Sequence, residues 1–212
     1  MLAAKLLSVS ADLNIEYIGT TESQNSSSNT FSIAYPTGTQ AGDLALIFIT
    51  ASNSFGNDFV ATGWTVVDRD TSVGSVKSQV SRITVSSLGS QSFTKTGGTS
   101  NSVAYSMVVF RKAVFGAFAK ATNTTTAAAV DPPSISGTFD AFLVSGHIDN
   151  SGTYTAPTDF TRIGNVAGNV ANNAIRTVVA DRIASVSNYN PGAFSGTNAL
   201  WVTYTIGLTK TA

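Results

Sequence analysis

The stretch Ala41-Gly-Asp-Leu-Ala-Leu-Ile-Phe-Ile-Thr50 decides how the chain is read: a Gly-Asp turn opens into six consecutive apolar residues, Leu44 to Ile49. A short apolar run bounded by a turn signal predicts a central strand covered on both faces. Val103 to Phe110 reads the same way. Around these two, Ile15 and Tyr17, Phe31 to Tyr35, Trp64 to Arg69, Val76 to Val85 and Gln91 to Thr96 carry strand patterns separated by Gly, Pro and Asn. No window sustains the apolar spacing of a helix, and β-branched residues are common throughout. Val114 to Lys120 is the one place that suits a short helix.

The second half is built like the first. Asp43-Leu-Ala-Leu46-Ile47 has a counterpart in Asp140-Ala-Phe-Leu143-Val144, and Gly63-Trp64-Thr65-Val66 in Asp159-Phe160-Thr161-Arg162-Ile163. Val80 to Ile83 matches Ala180 to Ile183, and Val103 to Phe110 matches Ala199 to Ile206. Matches in one order at nearly constant spacing point to internal duplication. Residues 121–133, ATNTTTAAAVDPP, read as a connector closed by two prolines. The expectation is an all-β, jelly-roll-like β-sandwich over residues 14–212, made of halves at about 14–120 and 134–212, with residues 1–13 as an N-terminal arm.

Composition narrows the partners. Of 212 residues, 12 are Lys or Arg and 12 are Asp or Glu, so the formal net charge is zero. Nucleic acid and anionic membranes are therefore poor partners, and weak self-repulsion favours a homo-oligomer. Without cysteine there is no disulfide framework and no thiolate site. The N-terminal apolar run is too short for a signal peptide, and no stretch approaches the ~20 apolar residues of a membrane helix.

Chemistry-bearing residues are sparse. Ser145-Gly-His147-Ile-Asp149 holds the single histidine and imitates a hydrolase triad, but on a strand its side chains step by about 6.8 Å, too far for proton transfer. Asn57, Asp58, Asp149 and Asn150 suit turns better than a calcium loop, and Gly97-Gly98 and Gly164 to Gly168 read as hairpin turns. Arg82 and Arg182 are expected to pair with Asp68 or Asp181. Trp64 and Trp201 fall on apolar strand positions, whereas Tyr154 and Tyr189 lie in loops beside Pro157 and Pro191. The two tyrosines, with Leu2, Leu6 and Leu7 of the arm, are the candidate contact surface; no catalytic residue, metal ligand or cofactor site is assigned.

The order of elements resembles surface proteins of bacteriophage heads and tails. It begins with Asn14-Ile-Glu-Tyr-Ile-Gly-Thr-Thr-Glu-Ser23, the Gly-Asp-Leu strand and Gly63-Trp64-Thr-Val66. It continues through Val103-Ala-Tyr-Ser-Met-Val-Val-Phe-Arg111 to the closing Ala199-Leu-Trp-Val-Thr-Tyr-Thr-Ile-Gly-Leu-Thr209. The resemblance covers most of residues 15 to 209. It departs at Ala61-Thr62, where a proline is usual, and at Arg111-Lys112-Ala113, where Arg-Gly is usual. What it implies is a non-enzymatic virion protein, assembled in the host bacterial cytoplasm. The favoured form is a capsid decoration (cement) protein, a homo-oligomer and specifically a trimer, bound to the major capsid protein. The alternative is a tail-tip or fibre module binding host carbohydrate.

Overall fold

The computed structural model describes residues 14–25, 29–52, 58–96, 102–126, 128–150, 152–170 and 173–211. The arm with Leu2, Leu6 and Leu7, and the expected turns at Asn57 and Gly97-Gly98, lie outside the described residues. The first half contributes β1 (Glu16–Asn25), β2 (Thr30–Ile33), β3 (Leu44–Ser52), β4 (Phe59–Val60), β5 (Thr65–Asp70), β6 (Val76–Thr84), β7 (Gln91–Lys95) and β8 (Val103–Arg111). The second contributes β9 (Ala113–Asn123), β10 (Ile135–Ile148), β11 (Thr161–Val170), β12 (Asn173–Tyr189) and β13 (Trp201–Lys210).

These strands form an all-β sandwich. One sheet has the order β1-β8-β3-β6-β5 and faces a second of order β11-β12-β10-β13-β9. Leu44, Leu46, Phe48, Val108 and Phe110 from the first sheet meet Leu143, Val179, Tyr204, Ile206 and Leu208 from the second in the central core. The outer face of the first sheet, carrying Ile47, Ile49 and Tyr105, is capped by Phe31, Phe59 and Phe93 of a small sheet of order β2-β7-β4. The outer face of the second sheet, carrying Val144, Ile148 and Trp201, is capped by Val130, Tyr154 and Phe194. Segment 128–134 crosses that face, and Thr203 and Thr205 donate to the carbonyls of Asp131 and Pro133 at 3.0 and 2.6 Å. Every residue of β3 is consequently buried.

The two large sheets share one wiring plan. Reading the second in reverse, β9-β13-β10-β12-β11 follows the path β1-β8-β3-β6-β5. Registers agree residue by residue: Leu44 pairs with Phe110 and Leu46 with Arg82, while Ala141 pairs with Leu208 and Leu143 with Asp181. The register shift after Tyr17 in β1 recurs after Phe115 in β9, and that after Val66 in β5 recurs after Arg162 in β11. The turns before β5 and β11 match as well. Trp64 N–H donates to the Ala61 carbonyl at 3.2 Å and Phe160 N–H to that of Pro157 at 3.1 Å, with Gly63 and Asp159 in the left-handed region at φ 82° and 70°. Even the small sheet has a counterpart. The Phe31–Phe93 and Val60–Thr94 pairs are repeated by the isolated bridges Val130–Phe194 and Thr155–Ser195.

Three expectations change. Val114 to Lys120 is strand, not helix: β9 pairs along its whole length with β13, so the second sheet begins at Ala113, ahead of the 121–133 connector and inside the span given to the first half. Alanines 117, 119 and 121 supply the outward apolar positions, too small to mark a period. Gly164 to Gly168 is no turn but the middle of β11. Two of the matches slip: Val80–Ile83 against Ala180–Ile183 is one residue out, because register sets Asp181 opposite Leu143 as Arg82 stands opposite Leu46, and Val103–Phe110 against Ala199–Ile206 is two out, because Leu208 stands opposite Ala141 as Phe110 stands opposite Leu44.

Phe139 lies across Gly207, where an added Cβ would overlap the ring. Gly207→Ala should therefore lower stability by about 1–3 kcal/mol. Phe194→Ala, which empties the cap on the second sheet, should cost about 3–5 kcal/mol, near the cost of Phe93→Ala in the first. Urea denaturation of the three variants tests this; a Phe194→Ala variant as stable as the parent would deny that the bridges are a true cap.

Candidate functional site

Matching halves place matching residues on either side of the central core, and the polar ones define the site that could carry chemistry. Thr50 of β3 and His147 of β10 hold equivalent positions, and they meet: Thr50 Oγ1 lies 2.8 Å from His147 Nδ1 and 2.6 Å from Thr177 Oγ1. Thr177 donates to the Ala104 carbonyl at 3.0 Å. Ser78, the counterpart of Thr177, lies 2.9 Å from the Tyr204 hydroxyl, which donates to Asp68 at 2.9 Å. Ser145 Oγ stands 3.4 Å from His147 Nε2, and Phe48 and Tyr204 pack against the imidazole. The same-face placement expected for Ser145 and His147 is thus present, but Asp149 bonds to Ser75 rather than to the histidine.

His147 is wholly buried, and desolvation pulls its pKa down to about 3, with a partial offset from a hydrogen bond to the Ile49 backbone. The imidazole is neutral at physiological pH and sealed between two sheets. A base with no path to solvent cannot reach a substrate, so the cluster serves as a polar bolt across the core.

The sandwich flanks carry a second matched pair. Register makes Lys120 of β9 the counterpart of Glu22 of β1, and Asp68 of β5 the counterpart of Gly164 of β11. Lys120 bridges Asp68 and Asp70 at 3.0 Å each, tying β9 to β5 across the sheets. Burial works against the ammonium, but the hydrogen bonds to Asp68 and Asp70 win and raise its pKa. Glu22 accepts from Ser106 Oγ at 2.8 Å and from the Asn165 backbone N–H, tying β1 to β11. A Cβ at Gly164 would come within 3.0 Å of the Glu22 carboxylate.

At the end of the core the halves diverge. Arg82 does not meet Asp68; its guanidinium lies 4.5 Å over the Phe115 ring. The equivalent pair is Asp181 and Tyr17, and burial pushes the Asp181 carboxyl up to about 6, partly offset by its own backbone N–H. Arg182 turns outward, 4.7 Å over Tyr189 and 3.5 Å from Asp159.

Of the candidate contact residues, Tyr154 is buried with its hydroxyl donating to the Thr197 carbonyl at 2.7 Å, so it is core and not contact surface. Tyr189 is half-buried against Phe142 and Phe160, and Arg182 donates to its hydroxyl at 2.5 Å. Neither ring is open for sugar stacking. Asp58 pairs with Arg69 at 2.7 Å, and among the described residues no three His, Asp or Glu gather as metal ligands. Open concavities border segment 128–134 and Trp201, and the start of β11 beside Asp181 of β12. No family model matches the chain, and neither a curated protein nor a solved structure matches it.

Two of the buried titrating groups, His147 and Asp181, oppose each other in pH. Folding lowers His147 from 6.5 to about 3, so stability falls as pH drops below 6.5. Folding raises Asp181 from 3.8 to about 6, so stability rises as pH drops through 6 toward 3.8. Asp181→Asn removes only the second effect: the variant should gain stability over the parent above pH 6 and decline more steeply toward pH 4. Urea midpoints between pH 4 and 8 check this; parallel profiles would show Asp181 to be solvated.

Proposed function

We propose that the protein is a non-enzymatic structural component of a bacteriophage particle, a capsid decoration protein that acts as a homo-oligomer. The observation that carries this reading is the strand path of each half. In the first, β1-β8-β3-β6 faces β2-β7-β4, with β5 moved to the edge of the larger sheet. That path is jelly-roll-like, an architecture frequent in viral capsid domains. The second half repeats it with bridges in place of the small sheet.

Two further features support the reading. The one imidazole is locked inside the core, and the polar side chains between the sheets are bonded to one another rather than aimed at a cleft. Charge is low and balanced, so binding rests on apolar and backbone contacts that ionic strength scarcely alters. Contacts spread over several capsid subunits would raise the free energy of opening the shell by linkage and multivalency.

Cryo-electron microscopy of the particle tests the proposal. Density of this size in regular array on the shell, touching several capsid subunits, is the expected result; density confined to the tail, or absent, refutes it. Deleting residues 1–13 should lower shell occupancy while leaving the urea midpoint of the sandwich unchanged.

A further inference from the structure

Register isolates a place where the halves carry opposite chemistry. Arg82 of β6 pairs with Thr65 of β5, and Asp181 of β12 pairs with Thr161 of β11, so the arginine and the aspartate hold equivalent positions. In the first half that position carries a cation, with its guanidinium over Phe115. In the second it carries a carboxyl on a residue only 9% exposed. Thr161 is the first residue of β11, so that strand stops at Asp181 while β12 runs on to Tyr189. Past its end lies an open concavity of ≈ 540 Å³ bordered by Asp159, Thr161, Asp181, Arg182, Ile183 and Ala184.

Among the described residues the Asp181 carboxyl meets no cation and takes a hydrogen bond only from its own backbone N–H. The nearby cations are engaged elsewhere. Arg182 lies over the Tyr189 ring and 3.5 Å from Asp159, and Lys210, on the other side of Ile183, sits with Asp140. The residue facing from β1 is Tyr17, a neutral phenol, and the one opposite on β10 is Leu143. A carboxylate drawn out of water without a counter-charge is costly, and this burial is what makes Asp181 hold its proton tightly. Beside it Ile183, 46% exposed, gives the same concavity an apolar wall.

We infer that this concavity binds an organic cation from outside the chain, an ammonium or guanidinium group on an alkyl stem such as a partner's basic side chain presents, with its head donating to Asp181 and its stem lying on Ile183 and Ala184. The inference does not depend on the virion reading. One buried carboxylate beside an apolar wall suits a cation that brings its own apolar surface and donors. Calcium would need six or more oxygen ligands, and no three His, Asp or Glu gather among the described residues. The first half has no such site, because there the equivalent side chain is itself the cation.

The test follows the Asp181 side-chain carboxyl of the full chain by ¹³C NMR between pH 4 and 8, with Asp181→Asn assigning the resonance. The probe is n-butylammonium, compared with sodium at equal ionic strength. Because the cation binds the ionised carboxylate, it should lower the titration midpoint, by about one pH unit for each tenfold rise in concentration above its dissociation constant. That constant should be on the order of 10 mM for a single charge-assisted contact with a buried stem. Methylammonium, which lacks the stem, should bind about tenfold more weakly in the parent, and Ile183→Ser should narrow that difference. In the parent n-butylammonium should also shift the backbone amide resonances of Thr161 and Ile183, and in Asp181→Asn it should not. A midpoint that n-butylammonium moves no further than sodium does overturns the inference. Equal responses to the two ammonium ions overturn it as well, since only a general charge effect would remain. Lys5→Met should leave the midpoint of the parent unchanged; a rise in that variant overturns the inference by showing that the chain's own lysine supplies the cation.

Discussion

Strands that are apolar on both faces need a cover on each side, and that constraint builds the molecule. Placing two such sheets face to face satisfies only their inner surfaces. The outer surfaces, with Ile47 and Ile49 on one side and Val144 and Ile148 on the other, still need caps. The chain supplies them locally: each cap is spliced from the connections between strands of the sheet it covers. That is why each half supplies two layers, a large sheet and the cap on its outer face. It is also why the second half tolerates a cap of mere bridges: Val130, Tyr154 and Phe194 cover the sheet by side-chain burial, and the connector's carbonyls are satisfied by Thr203 and Thr205 rather than by a ladder.

Polar groups between the sheets follow from the same symmetry. Equivalent positions near the middle of the sandwich must face each other, and a purely apolar pair there would leave the two sheets free to slide. Thr50 against His147, joined by Thr177, fixes one relative placement through hydrogen bonds that only one offset satisfies. The flanks repeat the device with opposite charge, Lys120 on one side and Glu22 on the other. A single salt bridge at a surface contributes little, but these are hydrogen-bonded at the sheet boundary, where sliding would break several partners at once.

Much of this was legible from residue pattern. The run Leu44 to Ile49 identified a doubly covered strand, and the Asp43–Asp140 and Thr65–Thr161 matches fall in true register. The pattern failed where two signals competed. The shared Arg-Ile of Arg82-Ile83 and Arg182-Ile183 attracts an alignment that is one residue out, and a one-residue slip exchanges the faces of a strand. Neither arginine meets Asp68 or Asp181: Arg82 lies over Phe115 and Arg182 over Tyr189 beside Asp159. Tyr154 looked like a loop residue because Pro157 follows it, and a bridge of one pair leaves no alternation to detect. It is the counterpart of Phe59, as the Thr155–Ser195 bridge requires. The unpaired indole of Trp201 left no trace at all in sequence, since a missing acceptor is a property of packing.

The edges constrain how copies can meet. The two large sheets have four edge strands, β1 and β5 in one and β9 and β11 in the other. Each carries a register shift after its second or third paired residue, and a bulge twists the free edge away from the geometry a neighbouring strand needs. The bulge positions coincide in the two halves, so the protection is part of the repeated plan rather than an accident of one edge. With zero net charge offering little repulsion, this backbone device takes over the task of preventing edge-to-edge stacking. Backbone pairing between copies is therefore opposed at these edges by the same device in both halves.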